Sequence, residues 1–275
     1  MNIVEAYIKF NKKLILLISG MQGSDKNLVS KEISKIFNIK CISLRNFINK
    51  NYKKEIKLDN GDTFIDWDNN DAYDWDEFNN YIEKHKKDGI IVYGFSFTQE
   101  NIKFKYDFHL NIKISKKNYI ESRHKFLNTN KEKFDDLFKL INTQTESIMI
   151  NKYIIPNYYK YLENSKINKF FNKNEFTTNE IIDQVFNYLI SEIQKFIDNY
   201  NENIIKNNNS KINNDKTNNN DDIDYLEDEI AEKDSSESES SSNSSDSYEI
   251  KSNKNSSSSD DEKNSSNSDK SYTLM

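Results

Sequence analysis

Four residues near the N-terminus have the types and spacing needed to hold a phosphate. In "LLISGMQGSDKNLVSKEIS", residues 16–34, Gly20, Gly23, Ser24 and Lys26 follow an apolar run and open a stretch with helical spacing. Phosphates bind strand–loop–helix junctions because backbone N–H groups converge there and the helix N-terminus carries partial positive charge. Glycines let the backbone approach closely, a lysine bridges the outer phosphates, and a hydroxyl holds Mg²⁺. Two positions depart from this pattern. Asp25 stands where the last glycine belongs and puts a carboxylate beside the phosphates. Aspartate tolerates positive φ better than most residues, so the loop shape survives while affinity drops. Asn27 replaces the metal-binding hydroxyl with an amide oxygen of different reach. The same residues also fit an ordinary strand–helix turn that needs its glycines only for geometry.

A second constellation lies at residues 66–78, "DWDNNDAYDWDEF". Taken alone it is an acidic, aromatic turn leading into a helix, with Trp67 and Trp75 packed on a core and Asp74 as the cap.

Together with the loop, this segment resembles the "NFDHPDAFD" motif of the uridine–cytidine kinase family and its nicotinamide riboside kinase relatives. Asp66 stands for the Asn, Trp67 for the aromatic and Asp68 for the first Asp, with Asp71, Ala72, Tyr73 and Asp74 in register and Asn70 in place of the Pro. Other pieces follow in the family's order. "YGF" at 93–95 stands for "EGI", "LNIKISKKNYIESRHKF" at 110–126 carries Arg123 in the arginine region, and "INKYIIPNYYKYLENSKINKFF" at 150–171 resembles "PxxxxYIEPTKKYADIII". The likeness covers roughly residues 13–172. It implies a P-loop kinase fold, ATP and Mg²⁺ as cofactors, and phosphoryl transfer to the 5′-hydroxyl of a uridine-like nucleoside. It assigns the ATP site to Gly20, Gly23, Ser24, Asp25, Lys26 and Asn27, the Mg²⁺ contact to Asn27, the nucleoside to Asp66 and Asp68, and catalysis to Lys26 and Arg123. It is also compatible with a homo-oligomer, since the family often forms tetramers.

The departures touch the chemistry. The family's base is an Asp just after strand two, and here "SLRNFI", 43–48, puts Leu44 or Arg45 there. The Glu of "EGI" is Tyr93. The lid, "NTNKEKFDD" at 128–136, carries lysines only, leaving Arg123, His124, Lys125, Lys131 and Lys133 as phosphate contacts. Lysine is a point charge, so such a clamp is less specific than an arginine fork. Loss of a general base costs about 10²–10⁴-fold rather than everything, and Asp66 or Asp68 can substitute. Two readings therefore stand together: a nucleoside kinase, and a catalytically degraded descendant acting as a nucleotide-binding or interaction module.

The elements that must position these residues alternate between strand and helix. Apolar runs at 14–19, 39–43, 90–95, 108–114 and 167–171 read as strands of a parallel sheet covered on both faces. Helices are expected at 26–37, at 75–87 behind an Asp74–Glu77 capping box, at 116–127, at 131–150, and from Tyr153 to Leu162 with a kink or start near Pro156. A last helix, from the "TTNE" box at 177–180, should end near residue 199. "DNGD" at 59–62 is a turn signal. The expected fold class is thus α/β, a three-layer P-loop kinase-like fold with a central parallel sheet and an acidic C-terminal tail.

Composition sets the boundary of that domain. The 275 residues carry 45 acids and 39 Lys+Arg, but 18 acids and 8 lysines fall after residue 200, leaving 27 and 31 before it. Residues 1–200 are read as the P-loop kinase-like domain. Residues 201–275, rich in Asn, Ser, Asp and Glu, hold too few apolar groups to offset ordering entropy and are read as a disordered, solubilising tail. "IDYLEDEIAEK", 223–233, has the makings of a transient helix. Serines beside acids suit an acid-directed kinase, so the tail is a candidate for phosphorylation. A single cysteine, Cys41, excludes a disulfide framework and fits a reducing compartment. "LILLIS" is too short for a secretory signal or membrane span, so no membrane role and an intracellular, cytoplasmic protein are expected. The basic residues do not cluster with aromatics, which argues against nucleic acid as a partner. His85, His109 and His124 lack metal-ligand spacing.

Overall fold

The computed structural model describes residues 2–132, 137 and 139–217, with side chains described as far as 204. The tail beyond residue 217, including 223–233, and Lys133 in the lid lie outside the described residues. One compact unit runs to Asn208; a second, residues 209–271, is described only through its helical stretch to Thr217.

Five parallel strands form the central sheet: β1 (Ile15–Ser19), β2 (Lys40–Ser43), β5 (Ile90–Gly94), β6 (Phe108–Lys113) and β7 (Lys169–Asn172), in the order β2-β5-β1-β6-β7. Every residue of β1 is buried, as a central parallel strand covered on both faces requires. Its side chains alternate between two cores. Leu16 and Ile18 pack with Val29, Ile33 and Phe37 of α2 (Lys26–Phe37) and with Ile181, Val185 and Leu189 of α7 (Thr178–Thr217). Ile15 and Leu17 pack on the other face with Phe78 and Ile82 of α3 (Trp75–His85). Each fully buried aliphatic side chain contributes about 1.5–3 kcal/mol relative to exposure, so the alternation on β1 alone fixes the three layers.

The expected strands and the helices at 26–37, 75–87 and 116–127 are present, the last as α4 (Lys116–Thr129). Asp74 caps α3 by accepting the Glu77 N–H at 2.9 Å. The sequence reading missed α1 (Ile3–Asn11), although Asn2 and Glu5 form a complete capping box, with reciprocal bonds of 2.9 and 3.0 Å. It also missed the hairpin of β3 (Glu55–Lys57) and β4 (Thr63–Ile65), which the 59–62 turn closes with Gly61 at φ 87°.

Of the helix expected over 131–150, the described residues show turns at 131–132 and 139–142, a helical residue at 137 and a short α5 (Gln144–Ile148). Asn142 takes positive φ and Thr143 caps α5 through the Glu146 N–H, so the chain restarts there. A π-helix, Met149–Ile154, then feeds α6 (Ile155–Glu163). Pro156 explains the change of pitch: it has no N–H to donate and its ring crowds the carbonyl four residues back. Helix α7 runs on to Thr217 instead of ending near residue 199. Among the described residues, no helix is long and apolar enough to cross a membrane.

The chain passes from β1 to β2 and back through β5, then crosses to β6 on the other side of β1. This reversal beside β1 is a topological switch point, and ligands of open α/β sheets bind outside the carboxyl ends of the strands at such points. The glycine loop leaves β1 there.

Candidate active site

The loop from Gly20 to Asp25 connects the end of β1 to the first residue of α2, Lys26. Gly20 cannot be replaced without a clash: a Cβ would lie 2.5 Å from Ser24 Oγ and 2.7 Å from the Ile112 carbonyl oxygen. Gly23 takes φ 83°, and a Cβ there would lie 2.4 Å from Ser122 on α4. The Ser24 N–H donates to the Met21 carbonyl at 3.2 Å, and Lys26 Nζ folds back to donate to the same oxygen at 3.2 Å. The loop therefore curls around the lysine, as a phosphate cradle does.

Asp25 adopts the left-handed conformation at φ 58° and ψ 17° that the missing glycine would take, as its tolerance of positive φ suggested. Its charge is handled differently from the expectation. The carboxylate is not free beside Lys26; it accepts from Thr178 Oγ1 at 2.6 Å and pairs with Lys173 Nζ at 3.2 Å. Asn27 is exposed on the first turn of α2 and lines the same cavity as Lys26.

That cavity, about 920 Å³, is walled by Lys26, Arg45, Asp68, Tyr93, Arg123 and Lys173, among others. A second cavity, about 230 Å³, shares Asp68 and Arg123 with it. Its other walls include Phe64, Ile65, Asp66, Trp67, Met149 and Ile154. The β3–β4 hairpin and the π-helix, neither read from the sequence, thus build the smaller chamber. Asp68 and Arg123 stand at the junction of the two.

Charge in the junction is mutually perturbed. Burial pushes the Lys26 ammonium down to about 7, Arg45 adds to the shift, and Asp68 and Asp25 oppose it. Burial raises the Asp68 carboxyl above its ordinary range, against Arg45, Arg123 and Lys26. Asp66 is pushed up to about 6, by burial first and then by Asp68. It sits 3% exposed and accepts from Asn157 Nδ2 at 3.1 Å.

Arg123 is held rigidly. Its Nε donates to Glu146 Oε1 at 3.1 Å, both side chains being 4% exposed. Glu146 Oε2 also accepts the Asn142 N–H at 2.8 Å and meets His124 Nε2 at 2.9 Å. Arg123 Nη2 and Arg45 Nη1 are both buried with no hydrogen-bond partner among the described residues. Buried donors on charged groups are costly when unpaired, so both guanidinium groups offer a donor to an acceptor entering the junction. The glycine cradle and these unpaired donors fit the polyphosphate of ATP. No group of three or more His, Cys, Asp or Glu that could hold a metal occurs among the described residues. Mg²⁺ in such sites takes one or two protein oxygens and draws the rest from phosphates and water, a demand that the Asn27 amide oxygen fits.

The structure thus gathers Gly20, Gly23, Ser24, Asp25, Lys26 and Asn27 at the carboxyl end of the central strand and brings Lys26, Asp68 and Arg123 to one cavity, with Asp66 on the adjoining wall. Sequence reasoning missed Lys173, Thr178 and Glu146. The first two reach the loop from the far end of the chain and carry no local signal. Glu146 lay within a stretch read as uniform helix.

No protein-family model matches the sequence, and no curated protein matches it significantly. Among solved structures, the chain is similar to a shikimate kinase from Acinetobacter baumannii in complex with shikimate, at 11% identity and a TM-score of 0.42. That similarity covers 67% of this chain and 98% of the other. The molecule's own geometry defines the architecture: a parallel sheet with β1 at its centre and a glycine loop turning from that strand into a helix make a three-layer, P-loop kinase-like α/β fold.

Proposed function

We propose that this chain is an ATP-dependent phosphotransferase of the uridine kinase type, acting on the 5′-hydroxyl of a nucleoside. The observation that carries the reading is the pair of chambers joined at Asp68 and Arg123, one cationic and containing Lys26, the other lined by aromatic and aliphatic side chains. In this reading the large chamber takes the nucleotide and the small one takes the acceptor.

Lys26 holds the β- and γ-phosphates and Arg123 meets the transferred phosphoryl through the guanidinium edge that Glu146 leaves free. Asp68 orients the attacking hydroxyl, and Asp66 takes a second sugar hydroxyl. As the new O–P bond forms and the bond to ADP breaks, the hydroxyl proton passes to a carboxylate, for which Asp68 is best placed. Its raised proton affinity suits that step, because a base works best near the operating pH. Asn27 would hold Mg²⁺, which when bound neutralises charge on the phosphates. Catalysis in this reading is positioning plus electrostatics, which is what phosphoryl transfer chiefly demands.

The test is conversion of nucleosides to monophosphates by the purified chain with ATP and Mg²⁺, with Lys26→Ala and Asp68→Asn as controls. Turnover that both substitutions abolish supports the reading; no turnover of any common nucleoside under any divalent metal overturns it. A second reading, a degraded kinase that binds nucleotide without transferring it, is favoured by one specific feature: Arg45 stands where the resemblance places the base. ATP binding without turnover would select it.

A further inference from the structure

Asp25 looks like the most damaging substitution in the loop, yet its surroundings are built around it. The last position of such a loop favours glycine because the backbone must turn left-handed and because an exposed amide there meets the phosphates. Asp25 makes the turn, but it adds a negative charge next to the polyphosphate site. It also gives its own helix nothing in return, since its side chain makes no capping bond to α2.

The carboxylate is instead enclosed by two residues from the other side of β1. Thr178, the first residue of α7, donates its hydroxyl to Asp25 Oδ2 at 2.6 Å. Lys173 Nζ lies 3.2 Å from the same oxygen and donates to Thr178 Oγ1 at 2.9 Å, closing a triangle. The lysine is well anchored, because its N–H donates to the Lys113 carbonyl at 2.9 Å, just beyond β7 at the sheet edge. The pair is largely shielded, with side chains 19% and 31% exposed. Lys173 also lines the cavity that contains Lys26.

We propose that Lys173, assisted by Thr178, is a positioning residue of the phosphate loop. It neutralises the Asp25 carboxylate, ties the left-handed end of the loop to the edge of the sheet, and removes a charge that would repel the polyphosphate. Asp25 and Lys173 are then a matched replacement for the glycine. This rests on the nucleotide-binding reading above.

A double-mutant cycle on the full chain separates this role from its alternatives. ATP–Mg²⁺ binding is measured by calorimetry for the wild type, K173M, D25G and the double variant. The triangle predicts that K173M weakens binding roughly tenfold when Asp25 is present, by leaving its carboxylate unpaired, and by less than about twofold in the D25G background. K173R, which keeps the charge, should retain most of the affinity. An equal loss in both backgrounds would mean that Lys173 touches the nucleotide directly, and no loss in either would mean that it does nothing; both overturn the proposal. If the wild type binds no ATP, the functional reading fails by itself. The tether is then judged by thermal unfolding of the nucleotide-free chain, where K173M must lower the midpoint with Asp25 present and not in the D25G background; equal effects overturn it.

Discussion

Lys26 and Asp68 line one cavity, and each shifts the proton affinity of the other: the carboxylate pulls the ammonium up, and the ammonium pulls the carboxyl down. Burial outweighs both effects, leaving Lys26 low and Asp68 high. Before any ligand enters, the junction holds charges that its surroundings disfavour. Such frustration belongs to sites that are completed by a partner.

Substituting Lys26 should therefore separate function from stability. Lys26→Met removes a charge that burial and Arg45 disfavour, so the nucleotide-free chain should unfold a few degrees higher. The same change should abolish detectable ATP binding. Thermal melts with and without ATP–Mg²⁺ read both effects, since a ligand that binds only the folded state raises its midpoint. A variant that melts lower and still responds to ATP would contradict the placement of Lys26 at the phosphates.

The pH dependence follows from the same group. The folded chain holds the Lys26 proton less tightly than the unfolded chain, whose value is near 10.5. Its contribution to stability therefore falls as pH drops from about 10.5 to about 7, and is constant below. Bound polyphosphate supplies negative charge and restores the proton. Nucleotide affinity should fall as pH rises above 7, by up to about tenfold per unit. Calorimetry at pH 8 in buffers of different ionisation enthalpy should show uptake of about one proton on binding, and an uptake near zero would contradict the placement of Lys26 at the phosphates.

Asp66 gives a second titration with the opposite chemistry. Its carboxyl is raised from 3.8 to about 6, so the unfolded chain gives up this proton more readily than the folded one. The ionised form destabilises the fold, and that cost appears as pH rises from about 4 to about 6. Asp66→Asn keeps an oxygen for Asn157 and removes the charge. It should stabilise the chain at pH 7.5, by at most about 3 kcal/mol, with the gain vanishing near pH 4. If Asp66 also binds a sugar hydroxyl, the stabilised variant should raise the KM for the nucleoside and leave that for ATP unchanged.

How much of this could be read from the letters depended on distance along the chain. The β1–loop–α2 unit was legible because five consecutive buried residues, two glycines and a helical apolar period lie within about two dozen positions. Lys26 and Asp68 were found through motifs, and the sheet order explains why they meet. The β3–β4 hairpin was not legible, since three-residue strands leave almost no period to detect. Nor were the partners of Asp25 and Arg123. The Thr178–Asp25 bond spans 153 positions and the Arg123–Glu146 pair 23, and no local pattern encodes either contact. A substitution that seemed to spoil the loop in one dimension is matched in three.

Glu146 illustrates the same point energetically. It is buried with Arg123 and holds two segments together: Arg123 and His124 on α4, and the Asn142 N–H in the turn before α5. Removing one partner of a buried ion pair leaves the other charge uncompensated, at about 3–5 kcal/mol. Glu146→Leu should lower the unfolding midpoint sharply, and Arg123→Met should recover part of that loss in the double variant. Additive losses would show that the two residues do not act as a pair.

The two proposed readings, an active kinase and a degraded one, differ in what they ask of Arg45. It is the largest charge effect on both Lys26 and Asp68, and its Nη1 is buried without a partner among the described residues. If it stabilises the transferred phosphoryl, Arg45→Ala should lower kcat by about 10²–10³-fold with little change in the nucleoside KM, as for loss of a preorganised charge. The acidic limb of the pH–rate profile should also move upward, because Asp68 loses the cation that most favours its ionised form. If Arg45 merely occupies the place of a lost base, Arg45→Asp should instead raise turnover, most clearly together with Asn27→Ser. Measuring kcat and its pH profile for the wild type, R45A and R45D tells these apart. We expect R45D to be slower than the wild type, since two carboxylates beside an incoming polyphosphate repel it and each raises the proton affinity of the other.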